Sequence, residues 1–491
     1  MSTENNMIPD ASGLKRCKAP SLSKTYRGYS NLLFKNQNFR YYILSHFAMH
    51  AGDAIVGLST LLCVENLAPN SGESIGTLVM YNLISEVLFL PLGGILADSF
   101  DKRKVMIALD LSASIGVLTF IYALRSDNLS ILYAASILRS SLVALYHPVT
   151  HSIATMMVFN PEDLKRTTTV SAIAWSLTYI LGGLFGGVLA SSAGLEVCYV
   201  IDSTLYVFSA ILMYKVRGDF NTALNQNTME IASGSKKDGE GSKQSIMQKI
   251  RSTLFALFAR IQTFLSMTRA LFKYIFTCGF SLLLFMKASS VILIGADDII
   301  AVMVTEHPSN AEESSIELGK VYAFQGLGNL LGPIIFNILF IDGNRPYTLQ
   351  VACIVGFAVT IIGWYGIANI SSFQAYCIFI FVRSMGSSTI YWNSTLLLQN
   401  LVSADILGRI LSYDKALASF FEACAAYAAG ELEDNNFGRH EISILCTGAS
   451  LFFLIFWGTY HLFGKGAARK EYRENLTSIS NDTKVHSAGI V

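Results

Sequence analysis

Charge is what this sequence has least of. Only 14% of its 491 residues are Asp, Glu, Lys or Arg against 52% hydrophobic, and the mean hydropathy is positive. A soluble chain of this length carries nearly twice that share of charge, so a soluble globular protein is excluded and an integral membrane protein is expected. Other absences narrow the function. No glycine-rich run is followed by Gly-Lys-Ser or Gly-Lys-Thr, so a phosphate-cradling loop and direct use of ATP have no support. A balance of 36 basic and 35 acidic residues offers nothing to nucleic acid. All eight cysteines except Cys17 fall within or at the ends of apolar segments, so no disulfide framework is visible. Cys63 and Cys198, near one face of the membrane, serve as small buried hydrophobes or as a pair. The first forty residues carry Lys15, Arg16, Lys18, Lys24, Arg27, Lys35 and Arg40 without the apolar core of a signal peptide, which predicts a retained cytoplasmic N-terminus.

What the chain has in abundance is apolar runs of membrane length. A span needs about 20 residues, and twelve are predicted: 41–64, 75–97, 105–124, 130–151, 168–190, 196–214, 280–304, 318–340, 347–368, 374–397, 411–430 and 442–463. An even count with basic segments at both ends places both termini in the cytoplasm. Residues 218–246 are rich in Gly, Ser, Asn and Lys and read as a linker. Ile246 to Arg269 alternates cations with Leu, Phe and Ile at helical spacing, as an amphipathic helix on the inner leaflet or an extension of the seventh span would.

The two sides of the linker repeat one another. Asp53 and Asp297, Asp98 and Asp342, and Arg139 and Arg383 share one offset, 297 − 53, 342 − 98 and 383 − 139 each being 244. Three charged landmarks at one spacing, where charge is scarce, imply duplication. The expected fold is all-α, with twelve transmembrane helices in two six-helix pseudo-repeats and the pathway between them. The expected boundaries are 1–40 cytoplasmic tail, 41–215 first half, 216–269 linker, 270–463 second half and 464–491 cytoplasmic tail.

Between the second and third spans, Gly94-Ile95-Leu96-Ala97-Asp98-Ser99-Phe100-Asp101-Lys102-Arg103-Lys104 ends an apolar helix in a knot of charge. Together with twelve spans and the repeat, this turn resembles the signature of the major facilitator superfamily, a Gly-x-Leu-x-Asp turn before a basic cluster. Asp101 stands where that family usually has glycine. Asn31 to Arg40, Gly52-Asp53, Ile201 to Leu205 and Leu407 to Ser412 are similar to the enterobactin and macrolide exporter-like branch. The resemblance implies a gating role for Gly94, Asp98, Arg103 and Arg409, and by repeat for Asp342. Gly182-Gly183-Leu184-Phe185-Gly186-Gly187 resembles the antiporter motif of the fifth span, with Gly183 where proline is common. Small residues there let helices approach closely and slide.

Charges at bilayer depth cost several kcal/mol unless paired or wetted, so each is a functional candidate. His46, His50 and Asp53 share one helix face. A pairing of Asp53 with Arg139 keeps the acid ionised, while separation in a dry cavity loads a proton; a permanent structural ion pair is the alternative. Glu86 is a candidate for a proton or a cationic substrate. Asp110 and Asp202 are assigned structural roles. Lys287 and Asp297 stand too far apart along one helix to touch, so each needs a partner elsewhere; with Arg383 and Glu422 they repeat the pattern. His46 and His50 lack a third metal ligand, and no cofactor is expected.

The expectation is therefore a non-enzymatic, monomeric, multi-pass transporter of the plasma membrane. It would export a small amphipathic organic molecule in exchange for protons. A metabolite uniporter or symporter, and a lipid-handling or receptor-like protein, are the alternatives.

Overall fold

A computed structural model describes residues 7–8, 16–17, 30–158, 161–218, 220, 280–306, 310–339, 346–402 and 404–463. The expected amphipathic helix at 246–269 and both tails beyond residue 463 and before residue 30, save one pair of two-residue strands, Met7–Ile8 and Arg16–Cys17, lie outside it. The described chain is helical: α1 (Gln37–Leu67), α2 (Gly72–Ser99), α3 (Lys102–Arg125), α4 (Leu129–Met157), α5 (Pro161–Ala193) and α6 (Leu195–Lys215) precede the linker. After it come α7 (Phe280–Ile292), α8 (Asp297–Thr305), α9 (Ala311–Leu339), α10 (Pro346–Ala368), α11 (Phe373–Leu401), α12 (Ala404–Asp434) and α13 (Arg439–Phe463).

Nine segments among the described residues are long and apolar enough to cross a membrane. They comprise α1 to α6, the α7–α8 segment from Leu284 to Thr305, α10 and α13. The helices α9, α11 and α12 are as long but fall outside that set. Large apolar side chains such as Ile115, Phe185, Phe452 and Ile455 are more than half exposed, as lipid-facing residues are.

Several of these helices start on a capping side chain. Ser71 accepts from the Ser74 amide at the start of α2, Asp101 caps α3, Asn128 caps α4 and Ser372 caps α11. Asn36 caps α1 and also donates to the Met157 carbonyl at the end of α4 at 3.2 Å. The segment expected as one span over 280–304 is broken: the chain leaves helix between Ile292 and Asp297. Gly295 lies in this break, where an added Cβ would meet the Ala426 nitrogen of α12 at 2.7 Å. Interior breaks of this kind place backbone and acidic side chains at mid-depth without lipid exposure.

The helices before and after the linker meet along two long seams, α5 against α9 and α2 against α12. Both seams are built on glycine. Backbone oxygens of Gly183 and Gly319 would stand 2.5–2.9 Å from a Cβ added to the other, and Gly76 meets the Ala426 carbonyl in the same way at 2.7 Å. The α2–α12 seam reaches the 68–71 loop, where Asp434 accepts from the Gly72 amide at 2.8 Å.

Candidate functional site

The first cluster is centred on Asp53 of α1. Arg139 of α4 donates to its Oδ1 at 2.5 Å, the Tyr206 hydroxyl of α6 donates to the same oxygen at 2.7 Å, and His50 Nδ1 lies 3.5 Å from Oδ2. His46 and His50 place their Nε2 atoms 3.2 Å apart. The helical spacing anticipated this face, but not Tyr206. Gly52 admits Asp202 of α6 to the back of the cluster, since any Cβ there would meet the Asp202 carboxylate. Asp110 is fully buried and accepts from Ser209 at 2.8 Å.

The second cluster repeats the pairing. Asp297, the first residue of α8, forms an ion pair with Arg383 of α11 and accepts from Gln325 Nε2 at 3.0 Å. Arg383 is 1% exposed, donates to Ser384 and Ser387, and lies 5.7 Å from the Trp364 ring. The neighbouring Asp298 accepts from the Tyr322 hydroxyl at 2.6 Å. Lys287 does find its partner on another helix, pairing with Asp414 of α12 while its ammonium sits 4.4 Å above the Tyr391 ring.

A third cluster joins the two groups of helices. Glu86 of α2 meets Lys415 Nζ of α12 at 3.3 Å and accepts from Ser419 Oγ at 3.0 Å. Glu422 follows Lys415 by seven residues on the same face of α12; it is half-buried, with no hydrogen-bond or ion-pair partner among the described residues. His147 of α4 lies within electrostatic reach of Glu86, His50, Lys415 and His151. The sequence pointed to Glu86 but not to Lys415. Tyr413-Asp414-Lys415 lies at the edge of an apolar run, where charge reads as a boundary. No group of three or more potential metal ligands occurs among the described residues.

The residues expected to gate divide into three groups. Gly182 and Gly186 press against Ala54 and Ile55 of α1, whereas Gly183 and Gly187 face Gly319 and Ser315 of α9. One run therefore serves two packing faces. At the 94–104 turn, Gly94 has open space around it; Gly93 makes the close approach, 2.6 Å from the Leu145 carbonyl to an added Cβ. Asp101 accepts from the Arg103 amide at 3.0 Å, and Arg103 Nη1 donates to the Val216 carbonyl at 2.8 Å. The turn is thus tied to the end of α6, where the linker begins. The side chains of Asp98 and Arg409, and all of Asp342, lie outside the described residues.

The sequence pattern described as Major Facilitator Superfamily matches residues 42–420. Two curated proteins of Bacillus subtilis (strain 168) are similar over part of the chain. The "Uncharacterized MFS-type transporter YkuC" is 21% identical over 187 residues, 38% of this chain and 43% of its own length. The "Putative bacilysin exporter BacE" is 22% identical over 222 residues, 45% of this chain and 53% of its own length. The matched region spans about half the length of these relatives. Among solved structures, the nucleoside transporter NupG aligns with a TM-score of 0.56 at 13% identity, covering 86% of this chain and 98% of NupG. A bacterial homologue of the iron transporter ferroportin, in an inward-facing state, aligns with a TM-score of 0.56 at 14% identity, covering 87% and 99%. At these identities the likeness is one of fold.

Proposed function

This chain belongs to the major facilitator superfamily, and from that premise we propose that it is a proton-coupled exporter of a small amphipathic organic molecule, working by alternating access. It is a multi-pass membrane transporter and not an enzyme. In the proposed layout, twelve spans form two six-helix repeats, 41–215 and 270–463, which rock against each other about the α2–α12 and α5–α9 seams. Residues 216–269 link them in the cytoplasm, both tails are cytoplasmic, and the protein acts as a monomer in the plasma membrane. The two acid–arginine pairs, Asp53–Arg139 and Asp297–Arg383, at one sequence offset, support the duplication.

The observation that carries the reading is the placement of ionisable groups between helices at mid-depth, next to a seam closed towards the 68–71 loop. In the inward-open state so proposed, the seam is sealed at the outer end and the cavity opens to the cytoplasm. Asp53, His50, Arg139, Glu86, Asp297 and Arg383 make up the coupling set, because each of its carboxylates has two alternative charge partners, its present cation or a proton, and Arg139 and Arg383 are the cations that Asp53 and Asp297 would leave. Export follows from the likeness to a protein named as an exporter.

The test is proton release from purified protein in detergent as candidate substrates are added, comparing wild type with Asp53→Asn. Substrate-evoked release that disappears in the variant supports antiport through Asp53. Substrate binding without release in either protein overturns proton coupling and leaves a facilitator.

A further inference from the structure

We propose that the ion pair across the α2–α12 seam is a proton-loading switch: Lys415 alternates between Glu86 of α2 and Glu422 of its own helix, and Glu86 takes a proton when the seam parts. The proposal rests on the alternating-access reading above and deepens it by naming the group that rocking itself exposes.

Three observations carry it. Asp53–Arg139 and Asp297–Arg383 each lie between helices on one side of the linker, so rocking of the two groups of helices leaves them intact. Glu86–Lys415 instead crosses the seam, as does the Ser419 hydroxyl that completes the Glu86 carboxylate. No motion can part α2 from α12 here without removing both of these partners. Finally, Glu422 offers a carboxylate with no hydrogen-bond or ion-pair partner among the described residues, two turns along the same face from Lys415 and within its electrostatic reach.

The charge balance sets the stoichiometry. Two carboxylates, Glu86 and Glu422, share one ammonium. With the seam closed, Lys415 pairs with Glu86 and also stands within electrostatic reach of Glu422, so one cation serves both acids and the set holds no bound proton. With the seam parted, the ammonium remains on α12 beside Glu422, and a proton from the open side bonds to a Glu86 carboxylate oxygen, since Glu86 alone is then left without a cation at a depth where a bare carboxylate is strongly disfavoured. Closure brings Lys415 back and releases that proton to the opposite side. Side-chain exposure of 36% for Lys415 and 15% for Glu86 gives water, and hence the proton, a route to the pair. The other charged or titratable groups facing the set are His147 of α4, Tyr179 of α5, Asp298 of α8, Arg383 and Tyr391 of α11 and Asp414 of α12.

The proton itself serves as the probe, so no substrate is needed. Spin labels at Ser126→Cys and Ser371→Cys, exposed positions in the loops after α3 and α10 at the sealed end, report seam opening in full-length protein in lipid nanodiscs with the native cysteines replaced. Glu433 lies at the sealed end of the same seam and titrates as well, so every protein carries Glu433→Gln. Lowering the pH is expected to shift the distance distribution from short to long, by up to about tenfold in population ratio per pH unit for one proton. Glu86→Gln abolishes the dependence and favours the long distance at every pH. Glu86→Asp keeps it, which separates titration from loss of fold. A pH response unchanged in Glu86→Gln overturns the switch. If that response vanishes in Asp53→Asn instead, proton coupling stands and belongs to the other pair. No response in any protein removes both readings.

Discussion

A side chain buried with its charge is stable only in company, and Lys287 shows how narrow that company is. It is 3% exposed, and Asp414, its partner, is wholly buried. Breaking such a pair from one side leaves an uncompensated ion and costs about 3–5 kcal/mol, whereas replacing both partners with apolar residues is often neutral. Asp414→Asn is therefore expected to lower the melting temperature of the detergent-solubilised protein markedly, and Lys287→Met with Asp414→Leu to restore most of it. An unchanged melt in Asp414→Asn would mean that water already compensates Lys287. At this scale the sequence was a good guide to which residues need partners and a poor guide to who the partners are. Asp53 with Arg139 was legible because both stand inside apolar runs, where charge is conspicuous. Lys415 was not, because a cation at the edge of a run has an ordinary explanation.

Helices that meet on glycine transmit contact through backbone, and here that makes the α5–α9 seam intolerant of a single methyl. A Cβ on Gly319 would stand 2.5 Å from the Gly183 carbonyl oxygen and 3.0 Å from Gly187 Cα, neither of which is a flexible side-chain end. Gly319→Ala must therefore separate α5 from α9, with an overpacking penalty of about 1–3 kcal/mol. The penalty falls on the sealed end, so the variant is expected to populate the open arrangement and to show longer distances between the Ser126 and Ser371 positions. Gly448→Ala, in α13 with nothing within 4 Å of the new Cβ, is the control; helix propensity alone there favours alanine by up to about 1 kcal/mol. An equal response in the two variants would show that propensity, not the seam, is being read. The Gly182–Gly187 run was visible in sequence as a small-residue stretch. Its division between α1 and α9 was not, because facing direction depends on which helices surround it. The close approach at Gly93 was not legible for the same reason: adjacent glycines look equivalent until α4 presses on one of them.

Across the whole molecule, the apolar runs anticipated where helices lie, because span length is set by the bilayer and leaves little freedom. They did not anticipate the closure of one end, which depends on groups outside the spans. Asp434, the last residue of α12, accepts from the Gly72 and Glu73 amides at 2.8 and 3.3 Å, supplying the first turn of α2 with a cap from across the seam. Glu433 beside it packs onto Gly72, leaving Oε2 without a hydrogen-bond partner among the described residues. Burial, reinforced by Asp434, Glu65 and Glu306, pushes its carboxyl from 4.5 up to about 7. That shift belongs to the closed end, where the acid is covered, so the closed arrangement binds the proton more tightly than one in which Glu433 is solvated. Its contribution to closure is full below 4.5 and is lost as the pH rises through about 7. On the proposed switch, titration of Glu433 opposes that of Glu86: acid holds the latch at the 68–71 end shut and loosens the Glu86–Lys415 pair. In protein carrying Glu86→Gln, which isolates the latch, raising the pH through about 7 is expected to lengthen the Ser126–Ser371 distance. With Glu433→Gln added, a neutral side chain sits in the latch at every pH and the dependence disappears. A response that survives in this double variant would assign the titration at this end to Glu65, whose carboxyl burial also raises.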